Sequence, residues 1–322
     1  MLRWLLEPEP PGLGLDLRVG EFSLARLSDK RGKPELSACV TAPLPLDCLS
    51  FEMTQPNIVD RDALTQALRD VMAQTTAPKN QRVALTLPDT LSRISVVELP
   101  EAPRSSAETL DVLKFSLKRS MPFDASEARI AYERLPGKTP SYLTGIMHES
   151  VAVNYEEFLG ELGLTVGLVL PASVSLLRML GPTAARFLPP SADYFFINFE
   201  RDYFTVCLVR NRDTPVLIRT LGMRVAGQGT APYTEDDFVQ EIIPTAIYYR
   251  EKLHGTTLSR IYYRSLRPDL ENVRELLEEQ FETPSEPFDL SAAVASAKDL
   301  HADAALLDSV SAAAGAAVGW VA

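Results

Sequence analysis

Cysteine and histidine are scarce in this sequence, and neither is arranged in pairs. The three cysteines, Cys39, Cys48 and Cys207, are an odd number without the spacing of a disulfide framework or a metal site. The three histidines have no partner at the i, i+4 spacing of helical zinc ligands. We therefore expect no bound metal and a reducing compartment, in which thiols persist.

Positive charge is also in short supply. The 32 Lys and Arg residues against 43 Asp and Glu residues give a formal net charge of −11. Binding to nucleic acid and electrostatic docking on anionic lipid both require clustered Lys and Arg. The composition therefore disfavours a nucleic-acid partner and direct attachment to a charged membrane surface.

Long hydrophobic runs are absent as well. No stretch approaches the ~20 apolar residues of a membrane-spanning helix. Residues 1–6 are apolar but are followed at once by Glu7, Pro8 and further breakers, so no signal peptide is expected. The 46% hydrophobic content is ordinary for a globular protein, and we expect a folded α/β chain behind an N-terminal tail at 1–12.

Two parts of the chain begin with the same pattern. Three short strands are predicted between residues 13 and 44, joined by turns at 18–20 and 29–32, and an amphipathic helix follows at 61–73. After a predicted hinge at 181–191 the pattern repeats, with strands inside 194–219 and a long helix at 237–252. The repetition indicates two halves of one duplicated α/β fold.

A separate segment, residues 94–153, interrupts the first half. An extended run at 94–99 ends at Pro100, and a helix is predicted from residue 108 to 119 with Ser105 or Ser106 as its N-cap. Pro122 stops the helix, and a second extended run covers 128–135. This segment is predicted to be a small inserted subdomain.

The order of breakers in this insert is distinctive. It contains Leu99-Pro100 after the first strand and Met121-Pro122-Phe123 after the helix, followed by an acidic turn and a strand. This order resembles the inserted subdomain of PilM proteins, which are cytoplasmic, actin-like components of bacterial type IV pilus assembly machines. The resemblance extends from about residue 13 to the end of the chain.

The resemblance implies an α/β, actin-like (ribonuclease H-like) duplicated fold with a PilM/FtsA-type insert. The first half would comprise residues 13–93 with 154–187, the insert 94–153, and the second half 188–322. Only residues 223–236 stand where PilM-like proteins carry a helical small subdomain, so most of that subdomain is expected to be missing.

The nucleotide motifs depart from the PilM-like pattern. The family's first hairpin reads Asp-Ile-Gly-Ser-Ser-Ser-x-Lys, and the matching stretch here retains Asp16 and offers Gly20. Arg18 replaces the glycine of close phosphate approach, Glu21 adds a negative charge, and Ser23 replaces the lysine. An arginine can itself bind phosphate, so Arg18 alone leaves the question open.

The second hairpin departs further. The family's Asp-x-Gly is replaced by Asn198-Phe199-Glu200, and no glycine pair follows the strand at 258–263. Asn cannot act as a general base or supply the charge that a magnesium shell requires. We predict a pseudo-ATPase without a cofactor or catalytic residues; the alternative is a protein that binds ATP as a static ligand or hydrolyses it slowly. The remnant of the nucleotide cleft would comprise Asp16, Arg18, Gly20, Ser23, Asn198 and Glu241.

The resemblance also implies a partner. A PilM-like scaffold would bind the N-terminal cytoplasmic segment of a PilN-like bitopic inner-membrane protein, in a groove between the first half and the insert. The chain would then be cytoplasmic, peripheral to the inner membrane through this partner, and self-association stays open. The candidate groove residues, some of which could equally be core, are Phe115, Arg119, Met121, Pro122 and Phe123.

Two other interpretations stay open. A type II secretion machine uses the same fold in the same position, so the sequence does not distinguish secretion from pilus assembly. A sugar kinase is the third hypothesis, and the altered hairpins and the PilM-like insert both count against it.

Overall fold

The computed structural model describes residues 11–29, 33–74, 81–222, 234–267, 270, 272–298 and 300–318. The strands are β1 (Leu13–Arg18), β2 (Glu21–Asp29), β3 (Pro34–Pro43), β4 (Gln81–Leu87), β5 (Ser92–Glu98), β6 (Ala128–Arg134), β7 (Ser141–His148), β8 (Leu164–Pro171), β9 (Asp193–Phe199), β10 (Tyr203–Arg210), β11 (Thr214–Gly222), β12 (Leu258–Ser265), β13 (Ser285–Pro287) and β14 (Ala295–Ser296). The helices are α1 (Arg61–Gln74), α2 (Ser106–Leu117), α3 (Glu149–Glu161), α4 (Ala172–Phe187), α5 (Glu235–Glu251), α6 (Val273–Phe281) and α7 (Ala304–Val318).

The chain forms two compact units. The first unit comprises Met1–Leu91, Ser150–Leu180 and Asp289–Ala322, and the second comprises Ser92–Glu149 and Gly181–Phe288. The insert therefore leaves the first unit after Leu91 and the chain returns at Ser150, close to the predicted limits of 94 and 153. Among the described residues, no helix is long and apolar enough to cross a membrane.

The first unit contains a six-stranded sheet in the order β14-β3-β2-β1-β4-β8. Its first two hairpins are antiparallel, whereas β1 with β4 and β4 with β8 are parallel pairs. Every residue of β1 is buried, and α7 packs on β1, β2 and β4. The sheet therefore presents the β1–β2 hairpin from a rigid, fully covered strand.

The second unit contains a five-stranded sheet in the order β11-β10-β9-β12-β13. This order repeats β3-β2-β1-β4-β8 of the first unit, so the duplication predicted from the sequence is confirmed. Its core is rich in aromatic rings: Phe199, Phe204 and Phe238 lie within 4.9 to 5.9 Å of one another, centroid to centroid. Helix α5, which carries Phe238, begins with a capping box between Thr234 and Asp237.

The inserted segment forms a three-stranded antiparallel sheet in the order β5-β7-β6, with α2 on one face. The Ser105 side chain accepts a hydrogen bond of 3.2 Å from the Glu108 backbone N–H, which confirms Ser105 as the N-cap. The helix buries Leu113 and Leu117 against Tyr142 and Ile146 of the sheet. This small core fixes which side of α2 faces outward.

Two predictions about boundaries are wrong. The C-terminal segment was expected in the second half, but β14 pairs with β3 and α7 packs on the first sheet, because a helix of small residues can approach a sheet closely. The hinge predicted at 181–191 is helical as far as Phe187, although Pro182 lies inside α4. Leu180, Ala184 and Leu188 continue a buried stripe at helical spacing, and their burial outweighs the proline's cost of ~3 kcal/mol.

Candidate functional site

The β1–β2 hairpin carries the first group of predicted site residues. Asp16 and Ser23 face each other across the ladder, and Arg18 faces Glu21. Gly20 lies in the turn with a φ of +71°, a conformation that glycine adopts without steric cost, and its carbonyl accepts a 2.9 Å hydrogen bond from the Leu44 N–H. The strand pairing thus brings Asp16, Arg18 and Ser23 together.

The guanidinium of Arg18 is buried inside this group. Nη1 donates to Asp16 Oδ2 at 2.5 Å, and Nη2 donates to Ser23 Oγ at 2.9 Å. Nε donates to Glu21 Oε1 at 3.1 Å, and Nη2 also donates to that carboxylate oxygen. The Arg18 side chain is only 6% exposed, and the Asp16 side chain 2%. Two carboxylates against one guanidinium leave a formal charge of −1 at the hairpin.

Helix α7 completes the cluster from the far end of the chain. The backbone carbonyl of Ser309 accepts a hydrogen bond of 2.9 Å from Arg18 Nη1, and its hydroxyl accepts one from Nη2. The same hydroxyl donates to Glu21 Oε1 at 3.0 Å and accepts from Thr41 Oγ1 at 3.0 Å. The guanidinium therefore joins β1, β2 and α7, and no local sequence pattern indicates that Ser309 is its partner.

The close approach of α7 depends on one glycine. A Cβ at Gly14 would lie 1.8 Å from the Ala313 carbonyl oxygen, so no side chain fits at this position of β1. Because the two backbones meet here, the helix is held against the strand two residues before Asp16. The position of Ser309 over Arg18 follows from that contact.

The second hairpin holds a second buried cation. Asn198, at the end of β9, pairs in register with Arg264 of β12. Arg264 Nη1 donates to Asn198 Oδ1 at 3.0 Å and to Glu200 Oε1 at 2.6 Å, and the Arg264 and Glu200 side chains are 0% and 3% exposed. Arg264 was not identified from the sequence. The available signal is an arginine inside the apolar strand β12 together with a glutamate, Glu200, directly after β9.

An unusual carboxyl lies at the tip of the same hairpin. Burial and the negative charge of Glu200 raise the pKa of Asp202 to about 6. The remaining predicted cleft residue, Glu241 of α5, lies 3.7 Å from Arg219 of β11 in a partly exposed ion pair.

The five predicted groove residues divide into two sets. Phe115, Arg119 and Pro122 are exposed, and Phe115 is 82% accessible. Met121 and Phe123 pack against the core of the insert, and the Phe123 ring meets the His148 ring edge-on at 4.9 Å. Within the described part of the chain, no cluster of three or more His, Cys, Asp or Glu side chains has the geometry of a metal site.

The repeated strand order, the βββαβ sequence of both units and the insert after β4 define an actin-like fold. A chain of the PilM–PilN type IV pilus biogenesis complex is similar to this protein with a TM-score of 0.77 and 17% identity, covering 97% of this chain and 98% of that chain. A Bacteroides thetaiotaomicron protein with an actin-like ATPase fold and unknown function has a TM-score of 0.50 and 12% identity, covering 85% and 89%.

The predicted fold class and the structural resemblance to PilM are therefore confirmed. Sequence comparison finds no matching protein-family model and no matching curated protein. The similarity to PilM thus concerns the fold.

Proposed function

We propose that this chain is a nucleotide-independent, PilM-like scaffold of a type IV pilus or type II secretion assembly platform. It binds the N-terminal cytoplasmic segment of a PilN-like bitopic protein and reaches the inner face of the inner membrane through that partner. The observation that carries the proposal is the likeness to a chain of the PilM–PilN complex over 97% of this chain.

The two hairpins support the absence of nucleotide turnover. A phosphate group approaching the first hairpin would meet Arg18 already bound to Asp16 and Glu21, at a site of negative formal charge. At the second hairpin, Asn198 and Glu200 are bound by the buried Arg264. Binding a Mg²⁺-nucleotide would require breaking these pairs, and the donor set does not fit that ligand.

Thermal unfolding tests the nucleotide part of the proposal. We expect the melting temperature to be the same with and without 5 mM Mg²⁺-ATP. A ligand at 100 times its dissociation constant adds about 2.7 kcal/mol of stability, which is several degrees for a domain of this size. A rise that saturates with Mg²⁺-ATP would support the static-ligand alternative instead.

The partner is tested in the host. Tagged protein, crosslinked and purified in mild detergent, should recover a single-span membrane protein with a short cytoplasmic N-terminus, identified by mass spectrometry. A synthetic peptide of that N-terminus should then bind the purified chain with an affinity that Mg²⁺-ATP does not change. Recovery of soluble metabolic enzymes alone would contradict the scaffold role and leave the fold assignment intact.

A further inference from the structure

Helix α2 carries the most exposed large hydrophobic side chain of the described residues. Phe115 is 82% accessible, whereas Leu113 and Leu117 on either side of it are 0% and 3% accessible. The buried pair already fixes the helix on the insert sheet. Folding of the insert therefore does not account for an aromatic ring at position 115.

Three cations lie next to this residue in the sequence. Lys118, the C-cap of α2, and Arg119, in the turn that follows, are both exposed and stand at i+3 and i+4 from Phe115, and half-buried Lys114 precedes it. No ion pair within 4.0 Å engages any of the three in the part of the chain that the structure describes. The opposing charges nearby are Asp111, one turn earlier, and Asp124, whose carboxylate accepts hydrogen bonds from the Ser126 N–H and hydroxyl at 2.8 and 2.7 Å.

The charge of this face selects the occupant. On a protein of net charge −11, a local excess of cations around an aromatic ring complements an acidic segment that carries an apolar side chain. An anionic membrane is the weaker match, because lipid-binding segments carry about 4–8 clustered cations. A cytoplasmic segment next to a membrane span is no better, because such segments carry an excess of Lys and Arg that this face would repel.

We propose that the outer face of α2, formed by Phe115, Lys114, Lys118 and Arg119, docks an acidic segment of a second partner protein, whose apolar side chain covers Phe115. This surface is additional to the one for the PilN-like segment, and it reassigns Phe115 and Arg119 from the predicted groove. The proposal rests on the scaffold role but not on the identity of the membrane partner.

Site-specific photocrosslinking tests the proposal in the full chain, expressed in its host. Phe115→p-benzoylphenylalanine should form an adduct with a protein, and mass spectrometry should place the adduct on a segment with more Asp and Glu than Lys and Arg. The same crosslinker at Phe187, an aromatic ring 63% exposed elsewhere in the second unit, should not yield that adduct.

Reversing the charge of the three cations provides a second test of the proposal. Lys114→Glu/Lys118→Glu/Arg119→Glu should lower the adduct yield at least about fivefold, as expected for the loss of close charge pairs. The control, Arg250→Glu/Lys252→Glu, reverses two exposed cations at the C-terminal end of α5 and should leave the yield unchanged. Thermal melts should show that all variants remain folded, since none of these side chains is in the core.

Several outcomes would overturn the proposal: no adduct from position 115, an adduct with lipid, an adduct with a basic segment, or a yield unaffected by charge reversal. The PilN-like peptide is measured on the same variants. Unchanged peptide binding with loss of the adduct supports two separate surfaces. An acidic adduct without any peptide binding would contradict the membrane partner while leaving this surface in place.

Discussion

Replacing Arg18 should lower the free energy of unfolding of the first unit more than replacing a residue of a surface ion pair. Arg18→Met keeps most of the apolar stem but removes the cation that lies between Asp16, Glu21 and Ser309. Asp16 is then a buried carboxylate without its counter-ion. Removing one partner of a buried pair typically costs about 3–5 kcal/mol, and we expect a loss in this range at pH 8.

The loss should depend on pH, and the sign follows from the charges. Without the guanidinium, the burial and mutual repulsion of the Asp16 and Glu21 carboxylates are unfavourable when both are charged, and this penalty disappears when they are protonated. The stability of the variant should therefore be closest to that of the parent near pH 4 and furthest below it at pH 8.

Urea unfolding followed by far-UV circular dichroism measures the loss without adding salt that would screen the charges. The matched control is Arg274→Met, which breaks an exposed i,i+4 pair with Glu278 and should cost only about 0.3–0.5 kcal/mol. Hydrogen–deuterium exchange of peptides covering β1 and α7 should place the loss in the first unit. Equal losses of unfolding free energy in the two variants would refute the inference that Arg18 stabilises the packing of the hairpin on α7.

Two further predictions concern single side chains. Gly14→Ala places a Cβ against the Ala313 carbonyl and should lower the stability by about 1–3 kcal/mol or more, measured by thermal melts. The control is Gly145→Ala, where the new Cβ would have no atom within 4 Å, and it should lower the stability less. Similar losses in the two variants would contradict a backbone contact at Gly14. Asp202, with its pKa raised to about 6, stabilises the fold below its unfolded pKa, and that stability is lost as pH rises through 6. Asp202→Asn should therefore stabilise the protein by about 1–3 kcal/mol at pH 8 and little at pH 4, and an equal gain at both pH values would count against this.

Most of the fold could be predicted from local sequence patterns. Alternating apolar residues predicted the three strands of each meander, and proline breakers with the Ser105 N-cap predicted α2 and its flanking strands, because these signals lie within a few residues of one another. The position of α7 could not be predicted in this way. Most of its residues are small and apolar, and the choice of sheet depends on a backbone contact with Gly14, about 300 residues away.

The candidate site shows the same division. Asp16, Arg18 and Ser23 could be predicted to meet because hairpin pairing is local. Ser309 and Arg264 could not, since their partners lie 291 and 64 residues away in sequence. A buried carboxylate signals that some cation lies nearby, but sequence distance gives no indication of which one.

Each hairpin holds a buried carboxylate paired with an arginine, but the arginine comes from a different strand in each unit. Asp16 and Glu200 are both almost fully buried, and a buried carboxylate needs a cation beside it. In the first unit that cation comes from β1 itself, and in the second it comes from β12. Each of these carboxylates therefore has an arginine counter-ion within its own unit. Under the proposed function, such a chain keeps the actin-like fold while other surfaces bind partners.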